Sequence, residues 1–340
     1  MDKIWPMALE RLLNRESLAE AQARELMHAL AAGDIAPALA GALLAALRAK
    51  GENAEEIRGF ATVMRELAVD PGIPDGPPAV DTVGTGGDGS GSLNLSTGTG
   101  LLAAACGARV VKHGNRSISS KSGSADVLEF LGVKLPLDGP AAVDLLAATG
   151  FTFLFAPAYH PAMKAIAPVR NAMGVRTVFN FLGPLTNPAA PPFQVIGAFS
   201  PQAARLMADS LAGMPIERAF VIHGEPGWDE ATPVGEFVLF DVRDGTVTES
   251  HRTPEDYGVP RCDAAALTGG DATHNGTEMQ RVFAGEDKGA HRDALLMGAS
   301  LVLEVSGAVS SPKQGVEAAA SAIDNGNAAA LLQNIRQHFE

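Results

Sequence analysis

A glycine-rich run follows the first strand-like segment of the sequence. Residues 84–89, GTGGDG, come directly after the apolar run 79–83 and before a helix predicted to begin near Ser96. Glycines at such a position let backbone N–H groups wrap around an anion, and the N-terminus of the following helix adds partial positive charge. The run therefore predicts a phosphate-binding loop.

The same run satisfies the pattern GxGxxG, so a dinucleotide-binding loop is an alternative. That loop needs an Asp or Glu about 20 residues further on, at the end of the second strand, to hold ribose hydroxyls. Here the corresponding strand ends in Lys112-His113. A Walker A loop is excluded because no GK[ST] follows the glycines. The pattern favours a phosphorylated ligand other than a dinucleotide.

Residues 89–125 contain four cations and no Asp or Glu. The chain carries 26 Lys+Arg against 39 Asp+Glu, a net charge of −13, so this stretch is a basic island in an acidic protein. Hydroxyl and amide groups, which suit phosphate oxygens, crowd the same region. The alternative is a polar loop with helix caps at Ser96 and Ser122. The cations are Arg109, Lys112, Arg116 and Lys121, and the polar groups are Asn94, Ser96, Thr97, Asn115, Ser117, Ser119, Ser120, Ser122 and Ser124.

Asp229 and Glu230 form an acidic pair after the strand-like run RAFVIHG (218–224). Adjacent side chains point apart in a strand or helix, but a loop can direct both to one metal cluster. Carboxylate oxygens suit Mg²⁺, which keeps waters and bridges substrate phosphates. A solvated acidic loop is the alternative. His113 and His223 lie beside these loops in sequence, and we expect them to support the loops rather than bind metal.

The elements that must position these residues divide into two kinds. Apolar residues at helical spacing predict about four helices between residues 9 and 67, and PGIPDGPP (71–78) predicts a hinge. Beyond it, the candidate strands 79–83, 109–111, 151–155, 194–199 and 218–224 alternate with helices near 96–106, 122–131, 140–149 and 201–212. This alternation predicts a parallel sheet covered on both faces. Residues 234–252, with Asp244-Gly245 as the turn, predict a hairpin, and helices resume from about 275.

The predicted fold is therefore α/β, with a small all-helical domain hinged to a larger α/β domain that has a mostly parallel central sheet. We expect residues 1–72, joined by part of 160–190, to form the helical domain, and 78–159 with 191–340 to form the other. The segment 160–187 is predicted to be helical and then loop-like, and it could pack on either domain.

Composition excludes several classes of protein. The net charge of −13 opposes binding to nucleic acid or to an acidic membrane. No apolar run reaches the roughly 18 residues of a membrane span, and the N-terminus lacks a signal-peptide pattern, so a cytoplasmic location is expected. Cys106 and Cys262 are far apart and predict neither a disulfide framework nor a thiolate metal site.

Several long motifs in order resemble the anthranilate phosphoribosyltransferase family. They are GTGGDGSGSLNLST (84–97), KHGNRSISSKSGSADVLEFLG (112–132), HPAMKAIAPVRNAMGVRTVFNFLGPLTNP (160–188) and the pair Asp229-Glu230. The resemblance covers nearly the whole chain. It implies transfer of the phosphoribosyl group of phosphoribosyl pyrophosphate to anthranilate, with release of pyrophosphate. It also implies two Mg²⁺ ions and a homodimer formed through the helical domains.

The resemblance also implies roles for individual residues. Anthranilate would be held by Gly84, Asn115 and Arg170, and Mg²⁺ by Ser96, Asp229 and Glu230. An Arg suits the acceptor because its planar fork matches a carboxylate. The acceptor amine is an aniline that is neutral near pH 7, so no residue is assigned as general acid or base. The phosphoribosyl donor would be held by Gly84, Gly87, Asp88, Ser92, Asn94, Leu95, Ser96, Thr97, Lys112, His113, Gly114, Asn115, Arg116, Ser117, Ile118, Ser119, Ser120 and Ser124.

The chain departs from the family pattern at three positions, and two other functions remain as alternatives. Trp228 stands where Leu is usual, Tyr159 where His is frequent, and Gly298 where Asn is often found. One alternative is a pyrimidine nucleoside phosphorylase of the same fold, whose phosphate loop lacks the 112–126 run. The other is a non-catalytic, nucleic-acid-binding relative, which the net charge disfavours.

Overall fold

The computed structural model describes residues 3–117 and 121–340. Four helices form the N-terminal part, as predicted: α1 Ile4–Leu13, α2 Glu20–Ala32, α3 Pro37–Lys50 and α4 Ala54–Glu66. The start of α4 is fixed by a reciprocal cap. The Asn53 side chain accepts from the Glu56 backbone N–H at 2.8 Å, and the Glu56 carboxylate accepts from the Asn53 N–H at 3.0 Å.

Seven strands form one sheet in the order β3-β2-β1-β4-β5-β6-β7. The first five strands are parallel, and β6 and β7 add an antiparallel hairpin at one edge. The hairpin turns at Asp244-Gly245, as predicted. The strands are β1 Ala79–Gly84, β2 Arg109–Gly114, β3 Phe151–Phe155, β4 Phe193–Gly197, β5 Arg218–Gly224, β6 Phe237–Arg243 and β7 Thr246–Arg252.

Helices connect the parallel strands and continue after the hairpin. They are α5 Leu95–Ala105, α6 Ser124–Leu131, α7 Gly139–Thr149, α8 Ala156–Tyr159, α9 Met163–Met173, α10 Phe179–Leu185, α11 Pro201–Leu211, α12 Ala272–Phe283, α13 Ala290–Val305, α14 Pro312–Asp324 and α15 Asn327–His338. Two short 3₁₀ turns, Pro254–Tyr257 and Ala264–Leu267, lie between β7 and α12. Among the described residues, no helix is long and apolar enough to cross a membrane.

Strand β2 is longer than the sequence indicates. The apolar run predicts a strand over 109–111, but pairing with β3 continues through Lys112↔Phe153 to Gly114↔Phe155. Lys112 and His113 are therefore strand residues, and both are buried. Pairing with β3 therefore extends β2 across Lys112 and His113, although the hydrophobic pattern predicts that the strand ends before these two polar residues.

Each face of the sheet has its own apolar core. The core on one face contains α5 and α13, and the core on the other face contains the N-terminal helices and α11. The segment that could pack on either domain joins this second core through Ile166, Phe179 and Leu185. In detail, α9 packs on α2 and α3, while α10 packs on α4 and α11.

The topology places a crevice at the carboxyl end of β1. The chain passes from β1 to β2 and β3 on one side and then to β4 on the other side of β1. Such a reversal of strand order opens a ligand crevice beyond the carboxyl ends of the two central strands. Gly84 of β1 and Gly197 of β4 are register partners at this edge.

Candidate active site

The glycine-rich loop after β1 lies directly against the acidic loop after β5. A Cβ atom on Gly84 would lie 2.5 Å from Asp229 Oδ2, so only glycine permits this approach. Asp229 Oδ2 accepts from the Gly86 N–H at 2.6 Å, and Asp88 Oδ2 accepts from the Asp229 N–H at 3.3 Å. Hydrogen bonds therefore join the glycine-rich loop and the acidic loop at the crevice.

The second acid of the pair reaches the start of α5. Glu230 Oε1 accepts from the Ser96 backbone N–H at 3.1 Å in the first turn of that helix. The structure thus brings together Ser96, Asp229 and Glu230, the three residues predicted to bind metal, and adds Asp88 to them. Their convergence depends on the irregular backbone of both loops.

The acidic residues of this site repel one another. Burial, and then the charge of Asp88, raise the pKa of Asp229 to about 7. Burial and the charge of Asp229 raise the pKa of Glu230 well above its usual value. Burial lowers the pKa of the nearby Lys112, and the charges of Asp81, Glu230 and Asp229 oppose this effect. The balance of charge favours binding of a further cation.

Lys112 lies beneath the site and not on its surface. Its side chain is 1% exposed, and Nζ donates to the Thr82 carbonyl and, at 3.3 Å, to Ser96 Oγ. His113, the next residue, faces another part of the molecule. Its Nδ1 lies 3.2 Å from the Gly183 carbonyl, and its ring contacts His160 at 5.1 Å between centroids. Burial and the neighbouring His160 lower the pKa of His113 to about 3.

The polar loop after β2 is held mainly by α6. Ser117 N–H donates to Asp126 Oδ2 at 3.2 Å, and Ser124 Oγ donates to the Asn115 carbonyl at 3.1 Å. Gly114 is a close neighbour of Ser124, since a Cβ on Gly114 would lie 2.5 Å from Ser124 Oγ. Ile118, Ser119 and Ser120, also predicted to bind the donor, lie outside the described residues.

The remaining residues predicted to bind the donor surround the N-terminus of α5. Asn94 Nδ2 donates to the Ser122 carbonyl at 3.1 Å and so joins this helix start to the loop after β2. Leu95 and Thr97 are buried in the first turn. Ser92 Oγ lies 3.1 Å from Ser90 Oγ in the glycine-rich loop. The two loops and the helix start therefore form a continuous polar surface.

The four cations of the basic island do not form one cluster, because Arg109 lies far from the others and Arg116 is paired with acids. Arg109 begins β2 at the opposite end of the strand, where it donates to the carbonyls of Pro74 and Pro77. Arg116 is neutralised by Asp126 at 2.9 Å and Glu129 at 2.6 Å. Because both acids lie just beyond residue 125, the window that defined the island left them out.

Two arginines of the 160–188 segment reach different places. Arg170, the predicted acceptor residue on α9, lies over the Phe179 ring at 5.1 Å, and burial lowers its pKa. Arg176, which sequence reasoning missed, donates to the Gly87 carbonyl of the glycine-rich loop. The only sequence signal for it is its place six residues after Arg170 in the same motif.

The acidic site fits magnesium in part. Within residues 3–117 and 121–340, the one trio of Asp, Glu, His or Cys ligand atoms all within 4.8 Å of each other is Glu278 of α12, His291 of α13 and Asp287 between the two helices. Asp88, Asp229 and Glu230 therefore do not form a closed coordination sphere. An open set of carboxylates suits Mg²⁺, because this ion keeps waters and completes its sphere with substrate phosphates.

Comparison with known proteins gives the class first. Residues 76–329 match the glycosyl transferase family α/β domain, and residues 6–68 match the helical bundle domain of the same family. The two matches agree with the predicted fold class, a helical part and a larger α/β part. The fold and the site thus define a glycosyl transferase with an N-terminal helical bundle.

Individual relatives narrow this class. Anthranilate phosphoribosyltransferases from Parasynechococcus marenigrum and Brevibacillus brevis are 44% and 45% identical, over 98% and 97% of this chain and 96% of each relative. The crystal structure of the enzyme from Thermus thermophilus superposes with a TM-score of 0.89 at 43% identity, covering 98% of this chain and 99% of that one. The chain belongs to the anthranilate phosphoribosyltransferase family. The nucleoside phosphorylase and nucleic-acid-binding alternatives find no support among these relatives.

A more distant structure shows the same fold. The anthranilate phosphoribosyltransferase of Saccharomyces cerevisiae, solved with phosphoribosyl pyrophosphate and Mg, has a TM-score of 0.89 at 24% identity and covers all of this chain and 98% of that one. The architecture is therefore maintained when three quarters of the residues differ.

Proposed function

We propose that this chain transfers the phosphoribosyl group of phosphoribosyl pyrophosphate to anthranilate, giving N-(5-phosphoribosyl)anthranilate and pyrophosphate. The observation that carries the proposal is the joining of the glycine-rich loop to the acidic loop at the carboxyl ends of β1 and β5, through Gly86 and Asp229. Backbone donors for phosphate and carboxylates for its metal are then side by side. Membership of the anthranilate phosphoribosyltransferase family supports anthranilate as the acceptor.

Donor and metal would share this joint site. The Saccharomyces cerevisiae relative holds phosphoribosyl pyrophosphate and Mg, and the excess of carboxylates supports the same use here. Ser96, Asp229 and Glu230 would hold Mg²⁺, in two ions by family resemblance, with Asp88 beside them. The ion supplies neutralisation of the charge that gathers on the departing pyrophosphate.

The chain's own residues would act chiefly by positioning. The anthranilate amine is neutral near pH 7, so the reaction needs alignment of the amine with the sugar more than it needs a strong base. Arg170 would hold the carboxylate of anthranilate. N–H groups of the glycine-rich loop, with the buried charge of Lys112 below them, would stabilise the leaving group. No general base is assigned.

Movement of the helical part would complete the site. We propose residues 1–72, with part of 160–190, as the body that closes on the α/β domain and brings acceptor to donor. Closure would also exclude water that could hydrolyse the donor. The packing of α9 on α2 and α3 supports this grouping.

The activity is tested by following the loss of anthranilate fluorescence with phosphoribosyl pyrophosphate and Mg²⁺. We expect turnover that requires both, and release of one pyrophosphate for each anthranilate consumed. Consumption of the donor without anthranilate, or phosphorolysis of nucleosides in the same preparation, would contradict the assignment.

Arg170 provides the test of the acceptor site. Arg170→Ala should raise the KM for anthranilate and leave donor binding nearly intact, because the lost guanidinium would bind the carboxylate of the acceptor and no part of the donor. Arg205→Ala is the matched control, since Arg205 also lies over a phenylalanine ring, 6.0 Å from Phe240, on α11. Turnover of aniline, which lacks the carboxylate, should not change. Equal losses for both acceptors would show that Arg170 has a structural role.

The N-terminal helix supports a homodimer through the helical part. Ile4, Met7 and Leu13 of α1 are exposed, and a groove of about 150 Å³ runs between α1 and α2. We propose that a second copy covers this face, and Met7→Asp should then give monomers in sedimentation analysis. A parent protein that sediments as a monomer would refute the dimer. The cytoplasmic location stays a prediction.

A further inference from the structure

Arg176 lies at the crevice between β1 and β4, in the turn that joins α9 to α10. Its guanidinium group lies 4.3 Å from the centre of the Phe199 ring, which follows β4. The same group donates from Nη2 to the carbonyl of Gly87 in the loop after β1. One side chain therefore contacts the segments that leave both strands of the crevice.

The contact with Gly87 fixes the orientation of a peptide group in the loop. A peptide unit is planar, so the carbonyl of Gly87 and the N–H of Asp88 point in opposite directions. Holding that carbonyl at Arg176 directs the Asp88 N–H away from it. The approach also requires glycine, since residue 87 has φ 71° and a Cβ there would lie 2.9 Å from Arg176 Nη2.

The backbone of Arg176 is held from the other direction by the helical part. Arg48, near the end of α3, donates from Nη1 to the carbonyl of Arg176. On the far side of the glycine-rich loop, the Gly86 N–H donates to Asp229. A continuous series of hydrogen bonds thus links α3 to the acidic loop through Arg176.

We propose that Arg176 is a positioning residue that couples the placement of the helical part to the shape of the glycine-rich loop. With Arg48 in place, the Arg176 side chain is set over Phe199 and holds the loop peptide at residues 87 and 88 in one orientation. Without the hydrogen bond from Arg176, the peptide between residues 87 and 88 can rotate, and the loop presents fewer N–H groups to a pyrophosphate. The proposal rests on the donor-binding role of this loop in the proposed function.

A direct contact of Arg176 with a donor phosphate is the competing explanation, and hydrogen exchange of the loop without donor separates the two. Arg48 touches a backbone carbonyl of residue 176 and acts on the loop through the Arg176 side chain. Positioning therefore predicts that Arg48→Gln weakens donor binding in the parent and has no further effect in Arg176→Gln. A direct phosphate contact predicts that, with no donor bound, hydrogen exchange of residues 84–91 in Arg176→Gln equals that of the parent.

The experiment compares Arg176→Gln, Arg48→Gln, the double variant and the control Arg205→Gln. Arg205 is an exposed arginine over Phe240 that pairs with Asp209, away from the loop. Hydrogen exchange of residues 84–91 should be faster in the first three variants and unchanged in the control. The KM for the donor should rise roughly tenfold in Arg176→Gln and less in Arg48→Gln, with smaller changes in the KM for anthranilate.

Equal exchange rates in Arg176→Gln and the control would overturn the coupling, as would additive effects of the two substitutions on donor KM. The exchange measurement needs no substrate. A parent protein without transferase activity would therefore refute the proposed function and still leave the coupling to be decided by exchange. A matched melting temperature for all variants separates loss of positioning from loss of the fold.

Discussion

Charged residues are arranged differently at the antiparallel edge of the sheet and at the carboxyl ends of its parallel strands. At the edge, Arg218 Nη2 lies 2.6 Å from Asp241 Oδ2, and Arg252 binds both Glu304 oxygens at 2.7 and 2.8 Å. Hydrogen bonding to Asp241 raises the pKa of Arg218. Each of these two partly buried arginines faces a carboxylate, and neither keeps a free charge for a ligand.

The carboxyl ends of β1 and β5 show the opposite arrangement. Asp88, Asp229 and Glu230 lie close to one another, and their repulsion contributes to the raised pKa of Asp229 and Glu230. Ion pairs with balanced charge stabilise the antiparallel edge of the sheet. An excess of negative charge lowers stability, and it is retained where a cation binds. The comparison predicts that removing charge lowers stability at the edge and lowers activity, not stability, at the site.

The largest effect is expected from Asp229→Asn with Glu230→Gln. Activity should fall roughly 10³-fold, because several kcal/mol of charge stabilisation are lost from the leaving group. The raised pKa of Asp229 means that its penalty on folding is absent below about pH 4, grows as pH rises and is complete above about pH 7. In EDTA at pH 8 the double variant should therefore unfold at higher urea concentration than the parent. Normal turnover with normal Mg²⁺ dependence would remove the metal assignment.

At the antiparallel edge, Glu304→Gln should cost stability and leave activity per folded molecule unchanged. Breaking a buried ion pair strands the charge of Arg252, and we expect about 2–4 kcal/mol lower free energy of unfolding by urea titration. Glu255→Gln is the matched control, because it breaks another Arg–Glu pair, to Arg261, whose side chains are exposed. Similar losses in both variants would show that burial does not set the difference.

The elements of the fold were largely predictable because they follow hydrophobic periodicity. Strands β3 and β5 begin and end where the apolar runs do, and the Asp-Gly turn marks the hairpin. The end of β2 was not predictable, since cross-strand pairing with β3, and not residue type, carries it through Lys112 and His113. Periodicity reports burial of apolar side chains and says nothing of a buried lysine.

The site was predictable where it depends on residue type and strand direction. Glycines after β1 and acids after β5 must meet, because parallel strands end at one edge. The count of cations in residues 89–125 did not predict where these side chains lie. Arg109 begins β2 at the far end of the strand, and Arg116 has acidic neighbours on α6. Arg176 binds a backbone carbonyl, a contact that leaves no pattern of residue types.

Lys112→Met tests whether the buried cation serves the donor or only the acids. Removing its positive charge should weaken binding of phosphoribosyl pyrophosphate, because the buried charge attracts the donor phosphates through space although it does not touch them. Binding of Mg²⁺ alone should tighten, because the same charge repels a second cation beside Asp229 and Glu230. Calorimetry measures both. Unchanged donor affinity would show that Lys112 acts only on the fold.

The smallest effect concerns the buried histidines at the border between β2 and the 160–188 segment. Burial lowers the pKa of both His113 and His160, and that of His113 reaches about 3, so the folded protein keeps them neutral. The unfolded chain takes up protons on these residues below about pH 6.5, so their contribution to stability is complete above that pH and is lost as pH falls, down to about pH 3 for His113. His160→Phe keeps the ring contact with His113 and removes one of the two histidines that the unfolded chain protonates. Its free energy of unfolding relative to the parent should therefore rise between pH 7.5 and pH 5.5. His251→Gln, at an exposed histidine beside Glu236 and Glu249, should show no such rise. A constant difference between His160→Phe and the parent at the two pH values would mean that His160 takes up its proton equally in the folded and unfolded protein.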